Sequence, residues 1–167
     1  MELESFGEYR ETDEQNDMTV PPLNDNGDLP VGVHAATWSE MEIRFGSNSP
    51  ARIRAFYKLK LLHKLASLTG RLTRFLVFGS FVSDTAEPRD VDVVLIMAVD
   101  FKIEECPREA KTIFDHADAD AKFGASVFWL REGMLSQELM KDFFGVWQTR
   151  RDGKQRGMLE VLDHDSQ

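Results

Sequence analysis

The stretch that decides the fold is RFLVFGSFVSDTAEPRDVDVVLIM, Arg74 to Met97. It contains two apolar runs, Phe75–Phe78 and Val91–Met97, each short enough and rich enough in β-branched and aromatic residues to be a buried strand. The first run stops at Gly79-Ser80. The second opens with Asp90-Val91-Asp92. Residues two apart on a strand face the same way, so the two carboxylates are expected on one face with Cα atoms roughly 6.5 Å apart. Val94 and Ile96 continue that face, and Val91, Val93 and Leu95 line the other. A strand apolar on both faces is central, which puts its acidic start at the sheet edge, where a ligand can enter.

Two anions so placed repel, and one tends to take up a proton unless a cation lies between them. Mg²⁺ typically takes one or two protein carboxylates and completes its shell with phosphate oxygens and water. Gly79 lets the backbone turn tightly and approach a ligand, and a helical turn starting at Ser80 would aim N–H groups and a hydroxyl at an anion. No Gly-x-x-x-x-Gly-Lys loop occurs. A Gly-Ser pair is commonplace, and one Asp-x-Asp usually marks a turn, which AEPRD before it would suit. The ordered set of strand, Gly-Ser, nine residues, Asp-x-Asp and strand is far more specific.

That set resembles the polymerase-β-type nucleotidyltransferase superfamily, and in size the chain is similar to its minimal, stand-alone bacterial members. The flanks are similar to a bacterial group on this core. There LPVGVH (29–34) leads into a helix, GSFVSD (79–84) forms the turn, and GKQRGMLEV (153–161) closes the chain. The resemblance implies an α/β (α+β) fold with a small mixed sheet and flanking helices. It implies that Gly79 and Ser80 hold the phosphates of a nucleoside triphosphate, ATP in the first instance, while Asp90 and Asp92 bind Mg²⁺ or Mn²⁺. Asp90, Asp92 and Ser80 would then be the catalytic residues. The activity implied is transfer of a nucleoside monophosphate to a hydroxyl of a protein, an RNA or a small molecule, in a toxin–antitoxin or defence setting with a partner protein. The superfamily usually supplies a third carboxylate from a later strand, and here that position is Ser126. A hydroxyl is a poor Mg²⁺ ligand and no base, so a nucleotide- or partner-binding pseudoenzyme is the alternative. Asp115, His116, Asp118, Asp120 and Glu132 lie near Ser126 in sequence, the first four on an expected helix whose plain reading is a solvated face.

The 167 residues amount to one domain with an arm, and the net charge of −9 is unevenly spread. Residues 1–30 hold nine Asp or Glu against one Arg, whereas the remainder carries 20 acidic and 19 basic residues. Residues 1–29, with PPLNDNGDLP dense in turn formers, read as an acidic, flexible arm, solvated or covering a basic surface. Residues 30–167 form the domain. A body without a basic field does not suit duplex DNA. Arg150, Arg151, Lys154 and Arg156 are the one basic cluster, a solvated turn or a clamp on triphosphate or acceptor. Arg89 is expected to point away from Asp90 by strand alternation. His34 either caps a turn or reaches the site. Trp129 and Phe128 belong in the core. Cys106 is the single cysteine, which excludes an internal disulfide and suits a reducing cytoplasm. MELESFGEYR has no secretion-signal pattern, and no apolar run approaches the ~20 residues of a membrane helix.

Helix expectations follow from caps and spacing. Thr37 or Ser39 caps a short helix over TWSEMEIRF. Ser49 and Pro50 start a long one that Gly70 ends, with Ile53, Phe56, Tyr57, Leu61, Leu65 and Leu68 as its buried stripe. CPREAKTIFDHADADAKFG is one helix with Ala110, Ile113, Phe114 and Ala117 inward. ASVFWL is a third strand, MLSQELMKDFFGVW a helix on Leu135, Leu139, Phe143 and Trp147, and RGMLEVL a last strand.

Overall fold

In the computed structural model, which describes residues 20–162, the two apolar runs are the central strands of a five-stranded mixed sheet. They are β2, Leu72–Phe78, and β3, Val91–Met97, paired antiparallel with Phe78 opposite Asp92. β4, Ala125–Arg131, runs parallel to β3, placing Ser126 opposite Asp92. On the other side β5, Met158–Val161, is antiparallel to β2, and β1, Val33–Ala36, is parallel to β5 at the edge. The fold is α/β (α+β), with the helices on both faces of the sheet.

The side-chain period of two splits β3 between two cores. Val91, Val93, Leu95 and Met97 join Phe75, Val77 and Leu159 beneath α1, Trp38–Phe45, and α2, Pro50–Ser67. Val94 and Ile96 join Leu76, Phe78, Leu130 and Met158 beneath α5, Gln137–Trp147. Asp92 therefore starts the face that α5 covers.

α1 begins with a capping box: Thr37 Oγ1 accepts from the Glu40 N–H and the Glu40 carboxylate accepts from the Thr37 N–H, satisfying donors that the first helical turn leaves free. Ser49 caps α2, with Pro50 in the first helical position. The buried stripe of α2 differs from the expected one. Arg52, Ala55, Phe56, Leu59, Leu62 and Ala66 face inward, while Ile53, Tyr57, Leu61 and Leu68 are exposed. Both sets satisfy helical spacing. The inward set wins because Arg52 has carbonyls to bond at the N-terminal end and the two alanines let the helix lie close on the sheet.

The segment expected as one helix is broken. α3, Arg108–Lys111, runs into a 3-10 turn, Thr112–Phe114, and α4, His116–Phe123, restarts after Asp115, whose backbone is extended and whose carboxylate accepts from the Asp118 N–H. The break lets Ile113 and Phe114 both enter the core and turns Ala119 inward in place of Ala117. In α5, capped by Ser136, Phe144 is buried with Met140, Phe143 and Trp147 against it; Leu139 is exposed.

Of the arm expected over 1–29, residues 1–19 lie outside the described residues. Residues 20–29 belong to the body. Val20 and Leu29 are buried, Arg44 donates to the carbonyls of Val20 and Pro21, and the buried Asp28 forms ion pairs with Arg150 and Arg156. Order thus begins at least ten residues earlier than composition suggested, because a few apolar anchors outweigh a polar average. Cys106 is buried, its thiol directed at the Lys102 carbonyl. Among the described residues no helix is long and apolar enough to cross a membrane.

Candidate functional site

Gly79 follows directly on β2 with φ +84° and ψ −160°, a conformation essentially closed to residues with a side chain. A Cβ there would also run into the Asp92 carboxylate. Glycine is needed twice over: for the turn, and so that the turn can lie against the acid. Ser80 then begins a single 3-10 turn, Ser80–Val82, rather than a longer helix.

The chain leaving this turn is held by one buried guanidinium. Arg52 donates to the carbonyls of Phe45 (3.2 Å), Phe81 (2.9 Å), Ser83 (2.7 Å) and Thr85 (2.5 Å). Burial lowers its pKa, opposed by the charge of Asp84. Ser83 Oγ donates to the Ser80 carbonyl at 2.6 Å, closing the turn on itself. Both ends of the spacer between Ser80 and Asp90 are therefore fixed at one sheet edge.

At that edge Phe78, Gly79, Ser80, Asp90, Asp92 and Ser126 line one cavity of about 520 Å³ together with Glu87, Arg89, Arg151 and Arg156, within the size range of small-molecule sites. Burial raises the pKa of the Asp92 carboxyl and the neighbouring Asp90 raises it further; Arg156 and a hydrogen bond from Ser126 act in the opposite sense. The pair thus has the electrostatic frustration that a shared cation would relieve. Among the described residues no three His, Cys, Asp or Glu side chains gather into a metal-holding group. A Mg²⁺ ion here would have Asp90 and Asp92 as its protein carboxylates, with phosphate and water completing the shell, as this ion tolerates.

Gly79, Ser80, Asp90, Asp92 and Ser126 are brought together from the ends of three neighbouring strands. Arg150 and Lys154 are not at this cavity. Arg150 donates to Asp28 at 2.8 Å and lines an adjoining cavity of about 370 Å³ with Ser80, Thr85, Arg151, Asp152 and Arg156; Lys154 is exposed at the tip of the turn. Of the basic cluster, Arg151 and Arg156 line the site. Arg89 also lines it, contrary to the alternation argument, because residue 89 precedes the strand and its pleat does not yet apply. His34 caps a turn, its Nε2 lying 2.7 Å from the Pro30 carbonyl oxygen. Trp129 donates from Nε1 to the Phe114 carbonyl within the core, and Phe128 packs on Trp147 with ring centroids 4.0 Å apart.

None of Asp115, His116, Asp118, Asp120 or Glu132 lines the cavity, so none takes the position that Ser126 leaves without an acid. The further carboxylate of the cavity is Glu87, which sequence reasoning passed over. Its signal was positional: a spacer that leaves and re-enters the sheet at one edge keeps its polar residues there.

The family described as "Family of unknown function (DUF6932)" matches residues 21–162. No curated protein and no solved structure matches. The chain belongs to the DUF6932 family.

Proposed function

We propose that this member of the DUF6932 family is a Mg²⁺- or Mn²⁺-dependent nucleotidyltransferase that moves a nucleoside monophosphate from a nucleoside triphosphate, ATP in the first instance, to an acceptor hydroxyl. The observation that carries the reading is the convergence of Gly79-Ser80, Asp90 and Asp92 on one cavity whose other charged walls are Arg89, Arg151, Arg156 and Glu87. The resemblance of the motif order to polymerase-β-type nucleotidyltransferases supports it from the sequence side.

In this reading the turn at Gly79-Ser80 and the guanidinium groups of Arg151 and Arg156 receive the phosphate tail. Arginine suits that task because its planar donors match phosphate oxygens. Asp90 and Asp92 would hold the divalent ion, which supplies charge stabilisation for the entering and leaving oxygens. The acceptor oxygen attacks the α-phosphorus, the bond from that phosphorus to the bridging oxygen breaks, and pyrophosphate leaves. The hydroxyl proton passes to Glu87, the carboxylate of the cavity not engaged with the ion. The protein contributes mainly position and charge. The toxin–antitoxin or defence setting and a partner protein come with the resemblance, and a cytoplasmic location with the single cysteine; all are part of the proposal.

A second reading is favoured by one observation: Ser126 lies in register with Asp92 where the superfamily usually places an acid. On that reading the protein binds nucleotide or a partner without transfer. The discriminating experiment uses ATP labelled at the α-phosphate, Mg²⁺ or Mn²⁺, and a cell extract as acceptor source. Transfer of label that is lost on Asp90→Asn with Asp92→Asn supports the enzyme. A metal-dependent thermal shift with ATP but no labelled product supports the second reading. Neither label nor shift overturns both.

A further inference from the structure

We infer that the cavity of about 220 Å³ lined by Ala51, Arg54, Ala55, Lys58, Glu87, Pro88 and Arg89 receives a phosphate group carried by the acceptor. The inference rests on the nucleotidyltransferase reading and deepens it, by naming the chemistry of the acceptor.

The site cavity has a basic annex on each of two sides. One shares Ser80, Arg151 and Arg156 with it, and this is the side of the Gly79-Ser80 turn. The other shares Glu87 and Arg89. The two annexes have no lining residue in common, so a triphosphate tail lying on the turn leaves the second annex free.

Three cations face that second annex. Arg54 and Lys58 are four residues apart on α2 and so share a face; Arg89 comes from the loop that ends at Asp90. The Lys58 ammonium also reaches the start of β4, since a Cβ built at Gly124 would lie 3.1 Å from Lys58 Nζ and 3.6 Å from Asp90 Oδ1. Lys58 and Asp90 thus approach the same point beside Gly124. None of Arg54, Lys58 and Arg89 forms an ion pair among the described residues. Ion pairs are made by Arg71, Arg74, Lys102, Arg150 and Arg156, while exposed cations elsewhere, Arg108 and Lys111 included, also lack one among the described residues. What sets Arg54, Lys58 and Arg89 apart is that they line one cavity beside the site. Three cations against the single carboxylate of Glu87 leave this cavity with a positive excess that an anion from outside would balance.

The one carboxylate of this cavity, Glu87, lines the site cavity as well. An acceptor whose phosphate lies among Arg54, Lys58 and Arg89 would carry its hydroxyl past Glu87 toward the acid pair. Two sources share this chemistry: the end of a ribonucleic acid chain, and a phosphorylated small molecule.

The test measures binding to the full-length protein of a fluorescent single-stranded hexaribonucleotide and, as a competitor, of ribose 5-phosphate. Wild type is compared with Arg54→Ala/Lys58→Ala, which leaves the site cavity's own lining intact, and with a charge-matched control, Arg108→Ala/Lys111→Ala. Circular dichroism checks that each folds. The expected result is binding that weakens about tenfold or more in the first variant alone, with a smaller dependence on salt. The thermal shift with ATP and Mg²⁺ is expected to be retained. Capture of the oligonucleotide alone assigns the chain end as source, whereas displacement by ribose 5-phosphate assigns the small phosphorylated molecule. Wild-type protein that binds neither probe, or equal weakening in both variants, overturns the inference. If the variant loses binding as expected but wild type transfers no label from ATP, the phosphate site stands and nucleotidyl transfer falls.

Discussion

At the scale of single residues, Asp92 concentrates the chemistry. It lies between an approaching backbone turn that tolerates only glycine and a neighbouring carboxylate, with Ser126 opposite it on β4. A carboxyl whose pKa is higher in the folded chain than in the unfolded one holds its proton more tightly when folded. Stability is therefore lost as pH rises through the displaced pKa, and the loss is absent below the ordinary aspartate range. Each pH unit of displacement corresponds to roughly 1.4 kcal/mol. In metal-free buffer near neutrality, Asp92→Asn is expected to raise the melting temperature by about 2–4 °C for each kcal/mol relieved. That gain should vanish near pH 3. Calorimetry at the two pH values checks it, and a variant that melts lower than wild type at neutrality would show that the carboxylate is held favourably instead.

At the scale of elements, α2 matters more for what it ties down than for its apolar surface. Arg52, at its N-terminal end, gathers four carbonyls from the end of α1 and from the loop after Ser80. Removing one partner of a buried hydrogen-bonded set costs about 1–3 kcal/mol for each group left unsatisfied. Arg52→Met, which keeps the aliphatic bulk, is expected to destabilise the chain by about 3 kcal/mol. Amide exchange should accelerate selectively over residues 81–85, and nucleotide-induced thermal shifts should shrink because the turn is no longer held. Uniform acceleration across the sheet would instead mark Arg52 as a general packing residue. Reading the inward stripe of α2 from sequence found Phe56 and Leu65 but misplaced Ile53, Tyr57, Leu61 and Leu68, for this same reason. Two stripes at helical spacing were present, and the choice went to the one with an arginine in it, whose carbonyl partners come from segments as far away as residue 85.

At the scale of the whole molecule, the polar stretch after residue 20 closes the body from outside. Asp28, 1 % exposed, meets Arg150 and Arg156 from the turn that precedes β5, and pairs by an isolated bridge with Ser83 on the loop after the Gly-Ser turn. Three segments remote in sequence thus meet at one buried residue, the arginine turn through its carboxylate and the Ser83 loop through its backbone. Removing the carboxylate that such partly exposed guanidinium groups pair with costs about 1–3 kcal/mol. Asp28→Ala is expected to lower stability by about that amount in urea unfolding, and to release Arg150 toward the cavity it lines with Ser80. ATP binding would then become more sensitive to salt. Unchanged unfolding midpoints would mean that the 20–29 segment adheres through its other contacts, the buried Val20 and Leu29 and the Arg44 hydrogen bonds.

The local pattern carried much of the fold and the centre of the site. Alternating and continuous apolar runs, capping residues, and the pairing of Gly79-Ser80 with Asp90 and Asp92 are short-range signals, each set by neighbours within a few residues. What only the tertiary structure decided is which distant groups complete those signals. Parallel pairing of β3 with β4 set Ser126 beside Asp92, the return of the spacer to its own sheet edge brought Glu87 and Arg89 to the cavity, and Asp28 took Arg150 away from it. Strand register and ion-pair choice depend on contacts between residues as distant in sequence as Asp28 and Arg156. No window of sequence contains both partners of such a contact, so their outcome is decided when the sheet closes.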